Sequence, residues 1–210
     1  MQDEREKAMM NEDVRKKWKP YRRLSDKARA EVKKWYGELW EHEDKRYWLA
    51  ATLMLQFAMC DKDVQKMNGE YVDGEKEFRK RCMAKMYLKY TPCQTANSSG
   101  SKVVWPIHPE IWQRIVEDAL KRGAELAPVV PKCRDTLKEL NKMLGAAVPE
   151  LSKSRKPINE LRKIRIEAEY RNHGVERASA LSGEDMESLS YIYGSLDDYQ
   201  KKACKLEDMI

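Results

Sequence analysis

The chain has 210 residues, enough for one helical domain or two small ones around a sizeable core. Charged residues make up 36% of it, hydrophobic residues 41%, and the net charge is +6, which points to a soluble, basic protein. Five scattered cysteines (Cys60, Cys82, Cys93, Cys133 and Cys204) include no C-x-x-C pair, so a zinc ribbon and a dense disulfide framework are both excluded in favour of reduced thiols on apolar helical faces.

Residues 1–24 read as a basic arm. A thin apolar stripe of Met10, Val14 and Trp18 runs through it, and Pro20 ends it. Ser25 then offers an N-cap, and Val32, Trp35, Tyr36, Leu39 and Trp40 follow at helical spacing. Tyr47 stays in phase with Trp40, so one long helix is expected to feed directly into the next stretch. That stretch, residues 47–60, is apolar on every side apart from Thr52 and Gln56. It is shorter than the roughly 20 residues a membrane helix needs. An all-round apolar helix belongs at the buried centre of a bundle.

Asp61 and Asp63 restart a turn that should stop at Asn68 and Gly69. A helix with Phe78, Cys82, Met86 and Tyr90 is expected from Asp73 to Thr91. Residues 91–108 form the longest irregular stretch and the best boundary between two subdomains, with the apolar, extended 103–107 segment held by Pro106 and Pro109. Further helices are expected from Pro109, from about Cys133 to Gly145 (Cys133, Leu137, Leu140, Leu144), and from Pro157 to His173, with Gly174 as a left-handed terminator. Ser182 should cap a last helix running to Ile210. Its heptad-like stripe includes Leu189, Ile192, Leu196, Tyr199 and Leu206, which is either a packing face of the bundle or a self-association seam. The expected fold is therefore all-α, with about six to eight helices around the central apolar one and no strand.

Charge layout carries the functional expectation. Between Val14 and Lys34 ten cations face only Asp26 and Glu31. Arg15, Lys16, Lys17, Lys19, Arg22 and Arg23 are interleaved there with Trp18 and Tyr21. A second cluster, Lys153, Arg155, Lys156, Arg162, Lys163 and Arg165, is opposed only by Glu160, while residues 178–200 carry carboxylates and no lysine or arginine. Cations neutralise phosphates and release counterions, and aromatic faces stack unpaired bases. These residues are therefore the candidate contacts to single-stranded RNA or DNA, with an anionic membrane surface as a second partner. The acidic end and basic front also suit homo-oligomer assembly, as in viral nucleocapsid, matrix or capsid subunits. The alternative is a protein-interaction scaffold or a secreted helical effector with no nucleic-acid role.

Enzymatic chemistry finds no support in the sequence. The pairs Glu38/His42 and Glu169/His173 lack the Glu-x-x-His spacing of a di-iron bundle, so no metal site or cofactor is expected. Arg171 and His173 are too close for the Arg…His motif of HEPN-type ribonucleases, and His108-Pro109-Glu110 has no following P-C-x-x-C of a deaminase. No catalytic residue and no small-molecule substrate is inferred. An intracellular location, cytoplasmic or nuclear, is expected, or secretion with a glycan at Asn97 if a leader precedes the sequence.

Overall fold

The computed structural model describes residues 21–66, 88–90, 102–104 and 133–193. Within them the chain is an all-α helical bundle. Its seven α-helices among the described residues are α1 (Asp26–Glu41), α2 (Lys45–Phe57), α3 (Asp61–Lys66), α4 (Cys133–Ala147), α5 (Asn159–His173), α6 (Val175–Ser182) and α7 (Met186–Tyr193). A single 3₁₀ turn, Pro149–Leu151, links α4 to α5. The N-terminal segment 4–18, the expected helix from Pro109 to Gly123 and the part of the expected last helix beyond Tyr193 lie outside the described residues.

The central position of the apolar run holds. Ten consecutive residues of α2, from Trp48 to Phe57, are buried, because α1, α4 and α5 all pack on it. Each large side chain removed from water there contributes about 1.5–3 kcal/mol. Of its two polar interruptions, Thr52 places Oγ1 2.8 Å from the Tyr36 hydroxyl of α1; at Gln56 it is the backbone carbonyl that accepts a hydrogen bond from Arg165 of α5. The α4 stripe is equally faithful to its spacing, with Cys133, Leu137, Leu140 and Leu144 all buried.

Four expectations are corrected. First, the helix from Ser25 does not continue into the central run. His42 is extended at ψ 137°, its Nδ1 accepts the Asp44 N–H at 3.0 Å, and Asp44 caps α2 by accepting the Arg46 N–H at 3.1 Å. The polar patch between Trp40 and Tyr47 is thus a double cap rather than a helix interior. Second, residues 88–90 are not helical. They pair antiparallel with 102–104 in the register Leu88 with Val104, Lys89 with Val103 and Tyr90 with Lys102. A strand therefore exists where none was expected, and the 91–108 stretch is not irregular throughout.

Third, Ser182 does not start the last helix. Gly183, at φ 76°, turns the chain out of α6, and Asp185 caps α7 by accepting the Ser188 N–H at 2.8 Å. Fourth, Gly174 has a positive φ of 85° but an extended ψ of 177°, so it joins α5 to α6 in a conformation essentially reserved for glycine rather than as a left-handed cap.

Both described thiols are free. Burial, with the Asp63 carboxylate next in importance, pushes Cys60 up to about 11, and burial with Asp61 pushes Cys133 up to about 12. At pH 8 both stay protonated, and the thiolate is the nucleophile. Alkylation of the folded protein followed by peptide mapping is expected to label both far more slowly than in urea. Equal rates in the two conditions would contradict this burial.

Candidate nucleic-acid interface

Helix α5 organises the charged part of the molecule, and it is not a conventional amphipathic helix. Leu161, Ile164 and Ala168 face the core, yet Arg165, Glu167 and Glu169 are buried beside them. The arrangement is tolerated because opposite charges recur four residues apart and meet on one helix face. Arg165 Nη1 reaches Glu169 Oε2 at 2.6 Å, and Arg171 Nη2 reaches Glu167 Oε1 at 2.6 Å. The start of α5 is fixed from α4, where Asn141 Oδ1 accepts the Ile158 N–H at 3.2 Å.

Two arginines of α5 close the C-terminal end of the central helix. There Ala58 adopts a left-handed conformation at φ 53°, and the last carbonyls of α2 have no partner within the helix. Arg165 Nε donates to the Gln56 carbonyl at 3.1 Å, and Arg162 Nε donates to the Ala58 carbonyl at 3.0 Å. Cationic groups are favoured at this end of a helix dipole. Arg162 also donates to Glu184 Oε1 at 2.6 Å and to the Ser182 carbonyl at 3.1 Å, fastening α2 to the α6–α7 connection.

A second buried cluster sits between α5 and the N-terminal side of the bundle. The Glu167 carboxylate is wholly buried and receives the guanidinium groups of Arg29, Arg171 and, at 3.5 Å, Arg23. Beside it the Tyr21 hydroxyl is buried without a hydrogen-bond partner among the described residues, and burial, with Glu167 and Glu160 next, raises its pKa well above the ordinary phenol value. The Tyr21 ring packs on Tyr193 with centroids 5.2 Å apart.

The expected nucleic-acid contacts therefore separate. Arg165 is buried and bonded twice within the fold, so it is a structural residue and not a surface contact. Tyr21, also buried, spends its ring on Tyr193. Arg23 is turned towards Glu167 and Asp26. Arg162 and Lys163 are half-buried, paired with Glu184 and with Glu160 at 2.6 Å. Lys156 is exposed and bonds Asp61 at 2.9 Å. Arg22 and Arg155 are exposed, with no ion pair among the described residues. Arg15, Lys16, Lys17, Trp18 and Lys19 lie outside the described residues. Of the proposed seam, Leu189 is fully buried in the chain's own core and Ile192 packs against it; Leu196, Tyr199 and Leu206 lie outside.

The described parts of the two basic clusters, residues 21–23 and 153–165, nevertheless come together. Ser25 and Glu150, 125 positions apart, are joined by the Ser25 hydroxyl donating to Glu150 Oε2 at 2.6 Å and by the Ser25 N–H at 3.3 Å. The Tyr21 N–H donates to the Ile192 carbonyl at 3.0 Å, which seats the N-terminal side against α7. Between these two ties lies a cavity of about 660 Å³ whose lining includes Tyr21, Arg22, Arg162 and Lys163 from the two clusters, together with Glu150, Glu160 and Glu184. Sequence reading missed the buried partners Arg29, Glu167 and Arg171. For the α5 partners the signal is the alternating Arg-Ile-Glu-Ala-Glu of residues 165–169, whose charges fall four apart from their opposites; Arg29, 138 positions from Glu167, leaves no such local signal.

Among the described residues no group of three or more His, Cys, Asp and Glu side chains is placed to hold a metal ion. The Glu169/His173 pair joins a buried carboxylate to an exposed imidazole at 3.2 Å. No described helix is long and apolar enough to cross a membrane. Comparison with protein-family models, with curated proteins and with solved structures finds no match to this chain.

Proposed function

We propose that the protein binds single-stranded nucleic acid without sequence preference, through exposed cations on either side of the Ser25 and Glu150 contact. That contact is the observation on which the reading stands. It brings the first turn of α1, carrying Lys27, beside the turn that carries Lys153 and Arg155. All three side chains are exposed and make no ion pair among the described residues, and Glu150, the carboxylate between them, is engaged by Ser25. Such groups are free to replace the counterions of a phosphate backbone.

The test is fluorescence anisotropy with labelled oligo(U) and oligo(dT). Binding should weaken steeply from about 50 to about 200 mM salt, with a slope of log affinity on log salt of roughly −2 for three phosphate contacts on a single strand. Replacing Lys27, Lys153 and Arg155 together with glutamate should abolish it, while the circular dichroism spectrum stays unchanged. Absence of binding at low salt, or binding indifferent to the triple replacement, would remove the proposal and leave a protein-interaction scaffold as the better reading.

A further inference from the structure

The cavity between residues 21–24, the Pro149–Leu151 turn and the end of α7 has features that backbone contact with nucleic acid does not use. Its volume, about 660 Å³, lies within the range of small-molecule sites. Leu24, Leu151 and Ile192 give it an apolar wall. The charges around that wall are unequally engaged. Arg162 is held by Glu184 and by two carbonyls, and Lys163 is held by Glu160. Arg22 lines the same space, is exposed, and makes no ion pair among the described residues. One guanidinium is therefore available to a ligand, and its fork matches a carboxylate in two parallel hydrogen bonds. The carboxylates in the lining set the opposite limit: Glu160 and Glu184 already occupy Lys163 and Arg162, so a second negative charge on the ligand finds no free cation, and Glu150, held only by Ser25, opposes it.

We propose that this cavity binds a small organic monocarboxylate, its head on Arg22 and its apolar body against Leu24, Leu151 and Ile192. The selectivity follows from the arrangement: one anionic group is matched, further anionic groups are repelled, and the remainder of the ligand is taken by apolar contact. Ligands with a flat aromatic body and with a linear aliphatic body share this chemistry, and two probes distinguish them.

Isothermal titration of the full chain with 1-naphthoate and with octanoate, in the absence of nucleic acid, tests the assignment. At least one of the two should bind, and the tricarboxylate citrate should not. Arg22→Gln should weaken the binding about tenfold or more, the loss expected for one charge-assisted contact. Ile192→Trp, which fills the cavity from its half-buried rim, should weaken it as well, whereas Lys153→Gln should leave it unchanged. Failure of both acids to bind, binding by the Arg22→Gln or the Ile192→Trp protein as tight as by the native one, or tighter binding of citrate or of uridine monophosphate would each overturn the proposal. None of these outcomes depends on whether oligonucleotides bind the outer cations.

Discussion

Replacing Glu167 with alanine is expected to cost the fold about 3–5 kcal/mol, the penalty for leaving buried charge without its partner. The carboxylate is wholly buried and is the common acceptor of Arg23, Arg29 and Arg171. Without it, three guanidinium groups of like charge remain around one buried position. Arg29 is the most constrained of them, since it is itself buried and its Nε and Nη1 already have no hydrogen-bond partner among the described residues. A domain of ordinary stability holds only about 5–15 kcal/mol in total, so this loss brings it near unfolding at room temperature. Urea titration followed by circular dichroism should show a large fall in midpoint with little change in slope. Glu167→Gln, which keeps the shape and one acceptor oxygen, should fall between alanine and the native protein. A loss of less than about 1 kcal/mol in the alanine variant, within the range of a surface substitution, would show that the arginines do not depend on this carboxylate.

That cluster also marks where the sequence stops being readable. The central helix was legible because its pattern is insensitive to direction: residues 48–57 are apolar on every face, so any packing buries them. The α4 stripe was legible for a related reason, since Leu137, Leu140 and Leu144 leave one face to bury. The break at 42–44 was not, because Tyr47 stays in helical phase with Trp40 and a phase cannot reveal that His42 and Asp44 use their side chains as caps. Charge was the hardest feature to read. Lys153, Arg155, Arg162 and Arg165 look alike as a basic run, yet the first two are exposed and Arg165 is almost wholly inside. The difference lies in partners distant along the chain, Gln56 and Ala58 for the α5 arginines, and no local spacing encodes them. The convergence of the two basic segments through Ser25 and Glu150 is non-local in the same way.

Arg165 carries the second large effect, and here a pair of substitutions separates charge from packing. Arg165→Met alone should destabilise the protein by about 3–5 kcal/mol. It deprives the Gln56 carbonyl at the end of α2 of its donor and leaves Glu169, buried with it, to the more distant Arg177 Nε at 3.4 Å and to His173. Replacing Glu169 with leucine in the same protein removes the stranded carboxylate. The double variant should then be more stable than the sum of the two single losses, by a coupling of about 1–3 kcal/mol. The pH dependence follows from the same contact. Burial alone would raise the Glu169 carboxyl, but Arg165, with His173 and Arg177 after it, holds it below its ordinary value. A carboxylate depressed in the folded state binds fewer protons there than in the unfolded chain. Its stabilisation is therefore complete above the ordinary carboxylate range and is lost as the pH falls through the folded value. The double variant, which has no carboxyl at 169, should lose less stability than the native protein on passing from pH 7 to below 4. Identical acid dependence in the two proteins, or simple additivity of the two substitutions, would show that Arg165 serves α2 through packing alone.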